Sequence, residues 1–331
     1  MEQAANGQGV GGLFVTRRLP IDVRAETPDD IPVRVFEGER PPTRAQLIEA
    51  ARGSVAILSL VSDPIDGAVL DALPTVRHVA QVAVGYDNVD VEACRARGVL
   101  VTHTPDVLTD ATADLAFTLL LAVARRVREG EALLRGGHFE GWSPTMLLGV
   151  ELAGQTLGIY GFGRIGRAMA RRARGFGMRV IYASRSAAPP EVEAALDAER
   201  VSFEALLSQS DAISIHAPLD ATTRGRFGAS ELAAMRPRAI LVNTARGPIV
   251  DEAALATTLA NGHLFGAGLD VFEREPEVCA ALLERDDVVL LPHLGSATEA
   301  ARQRMARTAL ADAIRVARGE PPKHPIPELT L

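Results

Sequence analysis

Gly161-Phe162-Gly163-Arg164-Ile165-Gly166 follows a short apolar run at 157–160 and opens a segment, 165–174, patterned as a helix. Each glycine has a task in such a turn. Gly161 permits the tight bend, Gly163 lets the backbone approach a pyrophosphate, and Gly166 allows the helix to pack closely on the strand. The helix N-terminus then offers unpaired N–H groups and a partial positive charge to phosphate oxygens. Turn glycines are common, so the strand before and the helix after give the pattern its meaning.

Working outward, strands are predicted at 157–160, 179–183, 212–216, 239–244, 266–270 and 288–291, a number that suits a complete dinucleotide-binding sheet. Upstream, 55–60, 79–84 and 99–102 read as buried strands bounded by Gly, Pro and Asp, with helices at 43–52 and 89–97. Strands alternating with helices imply parallel sheets covered on both faces. One long helix is predicted over 110–128, opened by Thr109 and Asp110. The last helix is expected to start near Ser296, with Glu299 completing a capping box, and to close before Gly319, Pro321 and Pro322. Such a helix would return the chain to its first part. The expected fold is therefore α/β, with two Rossmann-like, doubly wound parallel-sheet domains. Residues 1–105 plus 300–331 form a flavodoxin-like substrate domain and 106–299 the NAD(P)-binding domain, with the active-site cleft between them.

The end of the strand at 179–183 bears on which dinucleotide fits. An NAD site usually places Asp or Glu there for the ribose hydroxyl. This chain has Ser184, Arg185 and Ser186 instead. A carboxylate would repel a 2′-phosphate, whereas an arginine flanked by hydroxyls binds one. NADP(H) is thus the expected preference, with NAD(H) possible; the alternative is that Arg185 is a solvated surface residue.

Composition narrows the function classes. A formal charge of −7 and the lack of a basic run argue against nucleic-acid binding. Cys94 and Cys279 are the only cysteines, too few for a disulfide framework, and no metal site is expected. Residues 1–12 lack the apolar core of a secretory signal and read as a tail; the longest apolar run, 115–124, is about half a membrane span. A cytoplasmic location, away from any membrane, is expected.

Three late segments put polar groups at strand ends, where ligands of such folds bind: Asn243-Thr244-Ala245-Arg246-Gly247, Asp270-Val271-Phe272-Glu273-Arg274-Glu275-Pro276 and Leu291-Pro292-His293-Leu294-Gly295. Together with Val84-Gly85-Tyr86-Asp87-Asn88 and Thr109-Asp110-Ala111-Thr112-Ala113-Asp114, and in the same order, they make the chain resemble the D-isomer-specific 2-hydroxyacid dehydrogenases. Within that family it is most similar to the glyoxylate/hydroxypyruvate reductases, from about residue 48 to 319.

The resemblance implies that Arg246, Glu275 and His293 form the catalytic set, and their chemistry suits the task. Arg246 would orient a 2-keto acid through its planar donor fork. His293 would give a proton to the carbonyl oxygen, and Glu275 would hold the imidazole. Glu273 lies close enough in sequence to compete for that last role. The resemblance also puts Leu60, Val61, Val84 and Gly85 at the substrate, together with Trp142, which would reach a neighbouring subunit's site from an expected homodimer. Thr112, His216, Pro218, Thr244, Ala245, Asp270 and Gly295 would line the coenzyme. Thr112 reads equally as a polar residue in a first helical turn and His216 as a strand end. His78, His103, His138, His263 and His324 read as structural or surface residues. The implied activity is NADPH-dependent reduction of glyoxylate or hydroxypyruvate to glycolate or D-glycerate. The alternatives are another D-2-hydroxyacid dehydrogenase, of 3-phosphoglycerate or D-lactate type, and a non-enzymatic NAD(P)-sensing binding protein.

Overall fold

Five parallel strands form the first sheet: β1 (Gly12–Val15), β2 (Val33–Val35), β3 (Ser54–Ser59), β4 (His78–Gln81) and β5 (Leu100–Thr102), in the order β2-β1-β3-β4-β5. That is the doubly wound order of flavodoxin-like sheets. In this computed structural model, which describes residues 11–329, the chain divides into two compact units. One runs to Leu108 and resumes at Ala297; the other is Thr109–Ser296. The first ten residues of the expected tail lie outside the described residues.

The second unit carries seven parallel strands: β6 (Thr156–Tyr160), β7 (Arg179–Ala183), β8 (Ala198–Arg200), β9 (Ala212–Ile215), β10 (Ile240–Asn243), β11 (Gly266–Leu269) and β12 (Val288–Leu290). Their order, β12-β11-β10-β9-β6-β7-β8, is the dinucleotide-binding arrangement extended by one strand. The central strands β9, β10 and β11 are buried at every position, as a parallel sheet covered on both faces requires. One apolar layer joins the helix Thr109–Ala124 to β6 and β7; the other joins Leu206, Leu232 and Leu255 to β9 and β10. In the first unit the helix Glu299–Ala317 packs on β1, β3 and β4.

Three sequence expectations need correction. The helix expected over 110–128 ends at Ala124, and a second helix covers Val127–Arg135. Arg126 between them has φ +53°, and the Val150 amide donates to the Ala124 carbonyl at 2.8 Å. The returning chain therefore caps the helix from outside, while Arg125, Arg126 and Val127 carry no glycine or proline to signal a stop. The final helix is capped by Thr298, whose side chain accepts from the Ala301 amide, and not by Ser296. Finally, β1, β2 and β8 were not legible. Two of them, β2 and β8, are three-residue edge strands with exposed charged positions, so no apolar run marks them. Among the described residues no helix is long and apolar enough to cross a membrane.

Candidate active site

The glycine turn has the backbone geometry that its spacing implies at Gly161 and Gly166. Gly161 has φ +97°, and a Cβ there would lie 2.4 Å from the Ala217 nitrogen, so only glycine fits. A Cβ on Gly166 would meet the Gly161 carbonyl at 2.2 Å, which is the close helix–strand approach. A Cβ on Gly163 would meet nothing within 4 Å. Gly163 is also the N-cap of the helix Arg164–Gly175 and supplies no side-chain cap. Open space in front of uncapped helix N–H groups fits a pyrophosphate. Phe162 faces inward, stacked on Tyr182 with centroids 3.9 Å apart, so this position contributes backbone only. Arg164 is exposed and Ile165 half-buried on the first helical turn.

After β7 the chain turns through Ser184, Arg185 and Ser186. The Ser184 hydroxyl donates to the Ser186 carbonyl at 2.6 Å, and Arg185 is exposed, its Nη1 3.7 Å from the Asp220 carboxylate. Arg200, on β8, donates to the carbonyls of both Ser184 and Arg185 at 3.1 Å. A second arginine thus holds the turn that carries the first.

At the ends of β10 and β11 two segments are pressed together. A Cβ on Gly247 would sit 1.8 Å from the Phe272 carbonyl carbon, so the backbone after Arg246 touches that of Phe272 and Glu273. Asn243 folds the approach: its Oδ1 accepts from the Ala245 amide at 3.0 Å, and its Nδ2 donates to the Arg246 carbonyl at 2.9 Å. Thr244 is buried with its hydroxyl unsatisfied by protein groups.

His293 Nδ1 lies 2.9 Å from Glu275 Oε2, while Glu275 Oε1 accepts from the Phe272 amide at 3.1 Å. Glu273 instead exchanges hydrogen bonds with Glu252, so Glu275 is the carboxylate that meets His293. Burial pushes the Glu275 carboxyl upward. The His293 contact, the Phe272 amide and the Arg246 charge outweigh this and hold it below the usual carboxylate range. An ionised Glu275 only accepts, so the proton of the pair sits on Nδ1 of His293.

His293 has φ +56°, a conformation that costs a non-glycine residue roughly 1–2 kcal/mol. Asp270 enforces it. Its carbonyl accepts from the His293 amide at 2.8 Å, and its fully buried carboxylate accepts from the Leu294 and Gly295 amides at 2.6 and 2.7 Å. Burial raises the Asp270 pKa despite those two amides. Thr112, on the helix Thr109–Ala124, lies against Gly295. His216 follows β9; its Nε2 is 2.8 Å from the Ser214 hydroxyl, and burial pulls its pKa down to about 3, so the ring is neutral. Pro218, just beyond, is exposed.

The expected substrate residues of the first unit follow β3 and β4. Gln81 is fully buried: it accepts from the Ser59 hydroxyl at 2.6 Å and donates to Asn88 Oδ1 at 2.8 Å. Asn88 in turn donates to the carbonyls of Leu60 and Asp63. This network ties the Leu60–Val61 turn to the Val84–Gly85 loop. Trp142, in the second unit, is 80% exposed on the stretch after the helix Val127–Arg135.

Comparison with known proteins gives the family and the fold. Residues 117–295 match the model of the D-isomer specific 2-hydroxyacid dehydrogenase NAD binding domain. A glyoxylate reductase of Thermococcus litoralis is 48% identical over 314 residues, 94% of this chain and 95% of its own. The chain belongs to the D-isomer-specific 2-hydroxyacid dehydrogenase family. A solved Thermus thermophilus structure superposes with a TM-score of 0.88 at 44% identity, covering 95% of this chain and 99% of its own. The NADPH-dependent glyoxylate/hydroxypyruvate reductase of Sinorhizobium meliloti, solved with NADP and malonate, gives 0.85 at 34% identity over 96% and 97% of the two chains.

As a member of this family the chain is an NAD(P)-dependent oxidoreductase with a Rossmann-like coenzyme domain. The sequence assigned no role of their own to Asn243, Arg200, Gln81 and Asn88, which shape the turns that carry the expected site residues. The available signal was a polar residue ending an otherwise apolar strand, at Asn243 and at Gln81.

Proposed function

We propose that this dehydrogenase reduces glyoxylate or hydroxypyruvate with NADPH, giving glycolate or D-glycerate. The observation that carries the reading is the 2.9 Å contact between Glu275 and His293, beside the point where the Arg246 segment presses on Phe272 and Glu273. In this reading the unit Thr109–Ser296 holds the coenzyme. Residues 161–166 receive the pyrophosphate, and Ser184, Arg185 and Ser186 the 2′-phosphate. Thr112, His216, Pro218, Thr244, Ala245, Asp270 and Gly295 line the remainder. When bound, the nicotinamide supplies a hydride for the carbonyl carbon.

The chain's own groups do the rest. The Arg246 guanidinium pairs with the substrate carboxylate and polarises the adjacent carbonyl. His293 donates a proton from Nε2 to the carbonyl oxygen as negative charge develops there. Glu275 accepts the Nδ1–H, keeps the ring oriented and stabilises its charged form. The Val84 and Gly85 amides are donors for a substrate carboxylate, with Leu60 and Val61 beside them on the first unit. A homodimer is part of the proposal: Val127, Leu134, Phe139, Trp142 and Leu148 expose apolar surface along one segment, as a subunit interface does. Sedimentation at the monomer mass across micromolar concentrations would remove that part.

The activity is tested by the product of hydroxypyruvate reduction, resolved on a chiral column against NADPH consumed. D-Glycerate in equal amount is expected. L-Glycerate, or NADPH loss without glycerate, would overturn the reading.

A further inference from the structure

The Val84 and Gly85 amides donate to no protein group among the described residues, while the carbonyls beside them are pinned. The Ala83 carbonyl accepts from the Thr104 amide at 2.8 Å, and the Val84 carbonyl faces His103 Nδ1 at 3.0 Å. A carbonyl only accepts, so His103 Nδ1 carries hydrogen and donates. Both peptides are trans, and in a planar trans peptide the C=O and N–H point to opposite sides. Holding the Ala83 carbonyl therefore aims the Val84 amide away from Thr104. Holding the Val84 carbonyl likewise aims the Gly85 amide away from His103. One of the two anchors is backbone; the other is a side chain.

His103 is itself held from several directions. Its amide donates to the His324 carbonyl at 3.1 Å, and Thr102 bridges to Pro325. Asp312, buried on the helix Glu299–Ala317, accepts from the His324 amide and lies 2.9 Å from His324 Nδ1. The His103 ring meets Tyr86 edge-on with centroids 5.7 Å apart, and the Tyr86 hydroxyl donates to Glu328 at 2.9 Å. The C-terminal segment thus braces the imidazole against the loop. A solvated or merely space-filling histidine would not need this bracing.

We propose that His103 is a positioning residue for substrate binding: its Nδ1–H fixes the plane of the Val84–Gly85 peptide and so presents the Gly85 amide to the keto acid's carboxylate. The inference rests on the reading that these two amides receive that carboxylate. Three variants separate the two ideas, each assayed for kcat and for the KM of glyoxylate and of NADPH. His103→Leu is expected to raise the glyoxylate KM about tenfold to a hundredfold, the value of a hydrogen bond to a charged group, with kcat and the NADPH KM little changed. His103→Asn retains an N–H donor on a short side chain and should restore most of the loss. Gly85→Pro deletes the amide and should raise the glyoxylate KM at least as much as His103→Leu. A raised KM in Gly85→Pro with none in His103→Leu would overturn the positioning role and leave the carboxylate reading standing. Unchanged KM in all three would overturn the carboxylate reading and the inference with it. Equal impairment of the Leu and Asn variants would show that the donor is not what matters.

Discussion

Two sheets of the same parallel α/β type end in different kinds of group. In the proposed mechanism the working groups beyond β10, β11 and β12 are side chains: Arg246, Glu275 and His293, the last held at φ +56° by hydrogen bonds to Asp270. Beyond β3 and β4 the proposed binding groups are backbone amides, and the side chains there (Gln81, Asn88 and His103) hold the loops that carry them. The contrast follows from what each region must bind. A proton must come from a titratable side chain, whereas a carboxylate can be met by any fixed N–H. Substitutions in the first region should therefore strike kcat, and those in the second the KM of the keto acid.

The sharpest way to break that division is His293→Ala, expected to lower kcat about a hundredfold to ten-thousandfold, the range of general acid catalysis. A variant that lost only KM would put His293 among the binding groups. Glu275→Gln is expected to cost about tenfold to a hundredfold in kcat, since a charged hydrogen-bond partner is replaced by a neutral one. An unchanged kcat would reduce Glu275 to a structural part. Arg185→Ala, at an exposed site, should raise the NADPH KM about tenfold and leave that of NADH alone.

A separate prediction, on stability and not on rate, compares the two units in acid. An unfolded histidine titrates near 6.5, but burial holds His78 on β4 at about 4 and His216 at about 3. On acidification the unfolded chain takes up these protons first. Stability is therefore complete above about pH 6.5. It declines as pH falls toward each folded value, by up to about 1.4 kcal/mol per pH unit for each ring. Urea denaturation at several pH values should show a shallower acid loss for His78→Gln. An unchanged slope would mean that this ring is already charged in the fold.

The same contrast explains what was legible in the sequence. Gly161, Gly163 and Gly166, the long buried strands and the segments carrying Arg246, Glu275 and His293 announce themselves, because each task there admits few residue types. The resemblance chose Glu275 over its neighbour Glu273, but only the structure shows Glu273 turned onto Glu252. The break at Arg126 was hidden because its cause, the chain returning at Val150, is distant in sequence. Edge strands β2 and β8 lacked a buried face to leave a pattern. The tie from His103 to the Val84 carbonyl was hidden for a further reason: any residue type can supply the amide that it orients.

NADPH-dependent reduction of these keto acids is tested by initial rates of reduced-coenzyme loss, followed by absorbance, with glyoxylate, hydroxypyruvate and pyruvate, each with NADPH and with NADH. Fast turnover of glyoxylate or hydroxypyruvate with NADPH, slower with NADH, is the predicted result. No turnover of any of the three acids with either coenzyme would contradict it.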